Sequence, residues 1–153
     1  MMSDKAFLGV GMKFPPQINP ATGRFVTVSE EESVKESIYL ILMTQQTERP
    51  LRPTFGSNIM SYTFMDMNLT RLTMAARTLK EQILAQEPRV SDVQVTMEDS
   101  KQRGVLLFHI DYTVINSNKR DNLVFPFYLN IDENVEEGEP ETYEPETVEE
   151  IEY

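Results

Sequence analysis

The chain has 153 residues, enough for one domain with one hydrophobic core. It contains no cysteine, which excludes disulfides and thiolate chemistry. Its net charge of −11 is unevenly held: residues 131–153 carry eleven acids and no base, leaving fourteen acids against fourteen bases in residues 1–130.

A balanced body lacks the basic footprint that broad nucleic-acid binding needs. The start, Met1–Gly11, has no basic stretch followed by an apolar run, so no signal peptide is expected. No apolar stretch approaches the ~18 residues that span a bilayer, so direct membrane insertion is not expected either. Two units follow: a single body, residues 1–130, and an acidic tail, residues 131–153.

Residues 1–28 read as irregular, with one short strand at Phe25–Val28. Gly9-Val10-Gly11 is not a phosphate loop, because no buried strand precedes it and no third Gly or Lys-Ser/Thr follows. Ser29-Glu30-Glu31-Glu32 has the form of a capping box, with acids in the first turn facing the helix dipole. The helix should run to about Gln46, with Val34, Ile38, Ile41, Leu42 and Gln45 on one face. Tyr39, Leu40 and Met43 make it apolar nearly all round, so either the domain wraps it or a partner covers it.

Thr47–Ser57 is a loop dense in Arg and Pro. Its two X-Pro units keep the chain extended. Arg49 and Arg52 can pair with carboxylates, and Phe55 can plug the core. Asn58–Met67 is apolar-rich and should be irregular or shortly helical. Asn68 then caps a second helix, Leu69–Gln86, in which Leu69, Leu72, Ala76, Leu79 and Ile83 form a stripe.

Glu87-Pro88-Arg89 ends that helix and opens a strand. Pro88 disfavours helical geometry at Glu87. A sharp corner with a buried or paired Glu87/Arg89 couple is expected. The pair is expected at an exposed corner, where its loss costs only ~0–1 kcal/mol, so Arg89→Ala should leave the domain folded. Three strands follow: Val90–Met97, Val105–Ile115, and a third with Leu123, Phe125, Phe127 and Leu129 facing inward. Pro126 lacks a ladder donor, which places its strand at an open edge or at a bulge. Short connections make the sheet antiparallel. The fold class is α+β: two helices packed on a three-stranded meander. The tail repeats Glu-Pro-Glu-Thr at 139–142 and 144–147. Its composition argues for disorder, with Val148, Ile151 and Tyr153 as small anchors for a partner.

No catalytic constellation emerges. The lone His109 has no second His or Cys with which to hold a metal, and no Gly-x-Ser-x-Gly turn is present. Glycoside hydrolysis needs two carboxylates across a cleft, one with a raised pKa. Pairing with Arg89 would instead lower that of Glu87. No catalytic residue, metal ligand or cofactor is assigned.

Several motifs occur in order: Gly9-x-Gly11-x-x-Phe14-Pro15-Pro16, the acidic box, Ser37-Ile38-x-x-Ile41-Leu42-x-Thr44, Glu48-Arg49-x-x-Arg52-Pro53-x-Phe55-Gly56, Glu87-Pro88-Arg89, and Asn122 through Leu129. As an ordered set over residues 8–130 this resembles the small baseplate-wedge subunit of contractile phage tails. It also resembles its counterparts in type VI secretion and in phage-tail-like extracellular injection systems. The closing Phe-Pro-Phe-Tyr-Leu is most similar to the injection-system branch. The long acidic tail departs from the family pattern.

The resemblance implies a non-enzymatic assembly protein, present in six copies per baseplate. Its implied partners are the first ring of sheath subunits, other wedge proteins and the tube-proximal hub. It implies assembly in the cytoplasm, and a sheath-like handshake sheet to which sheath strands add. Glu87, Pro88 and Arg89 match the family's signature turn, which implies that they dock a partner or shape the docking surface. Arg49, Arg52, Phe55, Leu123, Phe125, Phe127 and Tyr128 complete the expected partner-binding set. The alternatives are a baseplate-associated, lysozyme-like peptidoglycan hydrolase and a free adaptor working through its acidic tail.

Overall fold

The computed structural model describes residues 6–63, 68–115 and 119–129. Its elements are β1 (Val10–Met12), β2 (Thr27–Ser29), α1 (Glu30–Met43), α2 (Leu69–Gln86), β3 (Val90–Asp99), β4 (Val105–Val114) and β5 (Arg120–Tyr128). Short 3-10 turns occupy Ala6–Leu8 and Ile59–Tyr62. The tail and residues 64–67 lie outside the described residues, as does the disorder expected of the tail.

The sheet is an antiparallel meander in the order β3-β4-β5. Alternation decides its faces. Leu106, Phe108, Ile110, Tyr112 and Val114 of β4 and Leu123, Phe125 and Phe127 of β5 are all buried. They meet Val34, Ile38 and Leu42 of α1 and Leu79 and Ile83 of α2 in one core. The expected α+β arrangement is present, with a second, two-stranded sheet, β1-β2, beside it. The Gly9–Gly11 stretch is therefore not irregular: Gly9 takes φ +77°, and Val10, Gly11 and Met12 pair with Ser29, Val28 and Thr27. Three residues are too few for an alternating pattern to register in sequence.

α1 departs from expectation at both ends. Ser29 makes no side-chain capping bond. It is also the last residue of β2, with φ −134° and ψ 168°, and Glu30 at φ +56° turns the chain straight from strand into helix. Glu30, Glu31 and Glu32 still occupy the first turn, where the dipole favours acids. At the other end the helix stops at Met43, because Thr44 turns extended; its N–H and its hydroxyl both donate to the Leu40 carbonyl and complete the last turn. Gln45 therefore leaves the helical face and bridges Ser57 in parallel.

α2 keeps its expected limits, and Asn68 Oδ1 accepts the Arg71 N–H at 2.9 Å. Its buried residues are Ala75, Leu79 and Ile83. Leu69 is exposed and Ala76 half-buried. At about 100° per residue, Leu69 lies roughly 80° from the centre of that stripe.

Candidate assembly surface

Three features collect the residues singled out in the sequence. The first is the corner between α2 and β3. The Glu87 N–H completes the last helical turn to Ile83, and Glu87 itself is extended, as Pro88 requires. Glu87 is 2 % exposed. The Arg89 guanidinium forks onto it, Nε to Oε1 and Nη2 to Oε2, both at 2.7 Å. Arg89 Nη1 donates to the Leu8 carbonyl at 2.7 Å and to the Ser33 hydroxyl at 3.2 Å.

Burial pushes the Glu87 carboxyl up. The Arg89 hydrogen bonds, the Ser37 hydroxyl and the guanidinium charge outweigh it, and the group sits below its ordinary value. Arg89 is raised, first by its bond to Glu87. The pair is thus a buried tie between the α2–β3 corner, the N-terminal segment and α1. The exposed-corner expectation, with its small energetic cost, does not hold. Nothing in the sequence pointed to Leu8 or Ser33, since one contributes only a carbonyl and both are remote from Arg89.

The second feature is the loop after α1. Here Arg49 lies over the Phe55 ring, 4.5 Å from its centroid. Neither Arg49 nor Arg52 closes an ion pair with a carboxylate among the described residues. Phe55 is half-buried beneath that cation and does not belong to the central core. The loop is fixed at its base: Gln86 clasps Gly56, accepting its N–H at 2.7 Å and donating to its carbonyl at 2.8 Å. Only a glycine suits φ +106° there. The Gln86 clasp also went unseen in the sequence.

The third feature is the outer edge of β5. Leu129 N–H donates to the Gly104 carbonyl at 2.7 Å, which fixes the phase of the ladder. In an antiparallel pair, alternate residues bond inward. Leu123, Phe125 and Phe127 therefore direct their main-chain groups to β4, while those of Asn122, Val124, Pro126 and Tyr128 face out. Pro126 sits where its missing N–H costs no ladder bond, opposite Leu107, and the strand has no bulge. The side chains of Leu123, Phe125 and Phe127 are core. Tyr128 is 66 % exposed and Val124 44 %. The Asn122 N–H is taken by Asp121 Oδ1 at 2.8 Å. This leaves the Val124 and Tyr128 N–H groups as outward donors without a partner among the described residues.

The three features are not one site: the corner lies beneath the N-terminal segment, the loop beside α1, and the edge at the margin of the sheet. His109 stands mid-β4, with Nε2 3.2 Å from a Glu98 carboxylate oxygen. No group of three or more His, Cys, Asp or Glu that would hold a metal occurs among the described residues. No helix there is long and apolar enough to cross a membrane.

Comparison with known proteins bears on these surfaces. The chain is similar over its fold to a Geobacter sulfurreducens protein to which a tail-lysozyme identity has been attached provisionally. That match has 39 % identity, 71 % of this chain, 98 % of the other and a TM-score of 0.64. A chain of the anti-feeding prophage baseplate shares the fold at 24 % identity and TM-score 0.56, over 84 % of this chain and 92 % of that one. A chain of the type VI secretion baseplate shares it at 20 % and 0.54, over 65 % and 93 %. No curated protein matches. The family model of the baseplate wedge protein gp25 matches residues 28–119, which includes α1, the Arg/Pro loop and the Glu87–Arg89 corner. The chain belongs to the gp25 family of baseplate wedge proteins.

Proposed function

We propose that this wedge protein initiates the sheath: strands from the first sheath ring add to the open edge of β5. The observation that carries this reading is the pair of outward N–H groups, Val124 and Tyr128, on an edge flanked by exposed apolar side chains. Strand addition takes its affinity from main-chain bonds and its specificity from alternate side chains. The opposite edge, β3, suits this less well. Its exposed positions include Asp92, Glu98 and Asp99, and charge blunts an edge.

Six copies around the tube would multiply a small contact by avidity. The anti-feeding prophage baseplate is six-fold symmetrised, which supports that copy number. In this reading Glu87, Pro88 and Arg89 shape the docking surface from beneath. Arg49, Arg52 and Phe55 face neighbouring wedge proteins and the hub. Assembly takes place in the cytoplasm.

Deleting the gene and imaging the particles tests the proposal. Baseplates and tubes without an ordered extended sheath are expected, and normally sheathed particles would overturn it.

A second reading, peptidoglycan hydrolysis, draws on the provisional lysozyme name of the Geobacter relative. Against it stands Glu87, the buried carboxylate of the described residues, whose pKa is lowered. A glycosidase acid requires the reverse. Release of cell-wall fragments by the purified protein would restore this reading.

A further inference from the structure

Beside the C-terminal half of α1 lies an open groove of about 630 Å³, between Phe14, Leu40 and Met43 on one side and Arg49, Leu51 and Arg52 on the other. Leu51 is 97 % exposed at the loop tip. Here the nearly all-apolar α1 is left uncovered. The groove joins apolar walls to two guanidiniums. Its one acid, Glu48, already accepts the Gln45 N–H at 3.0 Å.

We infer that this groove docks the acidic C-terminal segment of the same chain, with Val148, Ile151 and Tyr153 against its apolar walls and the intervening acids on Arg49 and Arg52.

The first argument is charge. The body, residues 1–130, is neutral as a whole, yet the groove carries two cations without carboxylate partners among the described residues. Residues 131–153 hold eleven acids and no base. The second is pattern: Val148, Ile151 and Tyr153 alternate with Glu149, Glu150 and Glu152, the mixture that the groove offers in complement. The third is reach. Phe125 touches Tyr39 at 5.9 Å between ring centroids, and Tyr39 touches Phe14, on the groove wall, at 6.1 Å. Leu129 stands four residues beyond Phe125, roughly 13 Å of strand. The 24 residues after it extend to about 80 Å, well beyond the distance required. A tether of this length gives an effective concentration in the millimolar range, so a contact of ~1 mM affinity is about half occupied.

The inference concerns the isolated protein and is independent of sheath initiation.

The absence of cysteine makes the test clean, since Glu152→Cys introduces a unique attachment point for a spin label. In the full chain, the methyl signals of Met43 and Leu51 should fall to below about half their intensity with the label reduced, as the millimolar tether implies. Arg49→Glu/Arg52→Glu should restore them, and so should ~1 M salt, where the Debye length is about 3 Å. Because the salt arm needs no variant, it decides the matter even if the double substitution disturbs the fold. Uniform or absent broadening would overturn the inference, as would broadening that survives both treatments. Broadening in a mixture of labelled and isotope-enriched copies would overturn its intrachain form, by placing the groove's occupant on a second molecule.

Discussion

Arg89 Nη1 donates to the carbonyl of Leu8 at 2.7 Å, across 81 residues of sequence. The same guanidinium holds both oxygens of Glu87. Arg89→Ala therefore strands a buried carboxylate and removes the donor to Leu8. Breaking such a pair from one side costs about 3 kcal/mol. Urea unfolding should show that loss, and Glu87→Gln/Arg89→Ala should cost less than the two single losses added. A loss within ~1 kcal/mol would return the pair to the class of surface ion pairs.

The Glu87 carboxyl is held below its ordinary value of 4.5. A depressed folded-state pKa gives stability that is fully present above the unfolded value and is lost as pH falls through the folded one. Stability should therefore decline below about pH 4.5, and Glu87→Gln should flatten that decline while lowering stability at neutral pH. Parallel acid-unfolding curves for the two proteins would contradict the assignment.

Much of this architecture is written in side-chain period. The β4 and β5 alternations and the α2 stripe are patterns of apolar residues, so the meander and α2 can be read from them, although of that stripe only Leu79 and Ile83 are fully buried and Ala75 takes the place beside them. Pro126 likewise announces an edge or a bulge, because its chemistry forbids a ladder donor, and the unbroken register decides for the edge. What stays hidden depends on backbone geometry or on distant partners. Ser29 has the composition of a cap but serves as the end of a strand. Thr44 ends α1 by turning extended, where the apolar pattern would let the helix continue. The Glu87–Arg89 couple is visible as a pair, but its burial depends on Leu8 and Ser33 closing over it, and no local pattern encodes that. The same holds for the groove, one wall of which is a loop held at its base by Gln86, 30 residues away from Gly56.

Gly56 packs against the Thr44 carbonyl so closely that an added Cβ would fall inside it. With φ at +106°, no L side chain fits without strain. Gly56→Ala should therefore cost well over the ~1 kcal/mol of an ordinary glycine replacement. Gln86→Ala should cost about 1–3 kcal/mol, by leaving the Gly56 N–H unpaired and its carbonyl with only the 3.4 Å bond from Gln46 Nε2. Thermal unfolding checks both. A neutral Gly56→Ala would mean that the loop is not pinned where α1 ends.

Neighbouring residues of β5 differ in the direction of their main chain, which separates folding from assembly. The Val124 N–H faces out and contributes no ladder bond, whereas Phe125 bonds to β4 and is buried. Val124→Pro should leave stability within roughly 1 kcal/mol, as the native Pro126 on the same side suggests. Phe125→Pro should prevent folding, by removing a ladder donor and a core ring. Circular dichroism melts of the two variants distinguish them.

The most direct measurement is electron microscopy of particles from a deletion strain complemented with Val124→Pro. Sheath initiation at the β5 edge predicts tubes and baseplates that contain the folded variant but no extended sheath. Particles sheathed as fully as with the wild-type chain would contradict it.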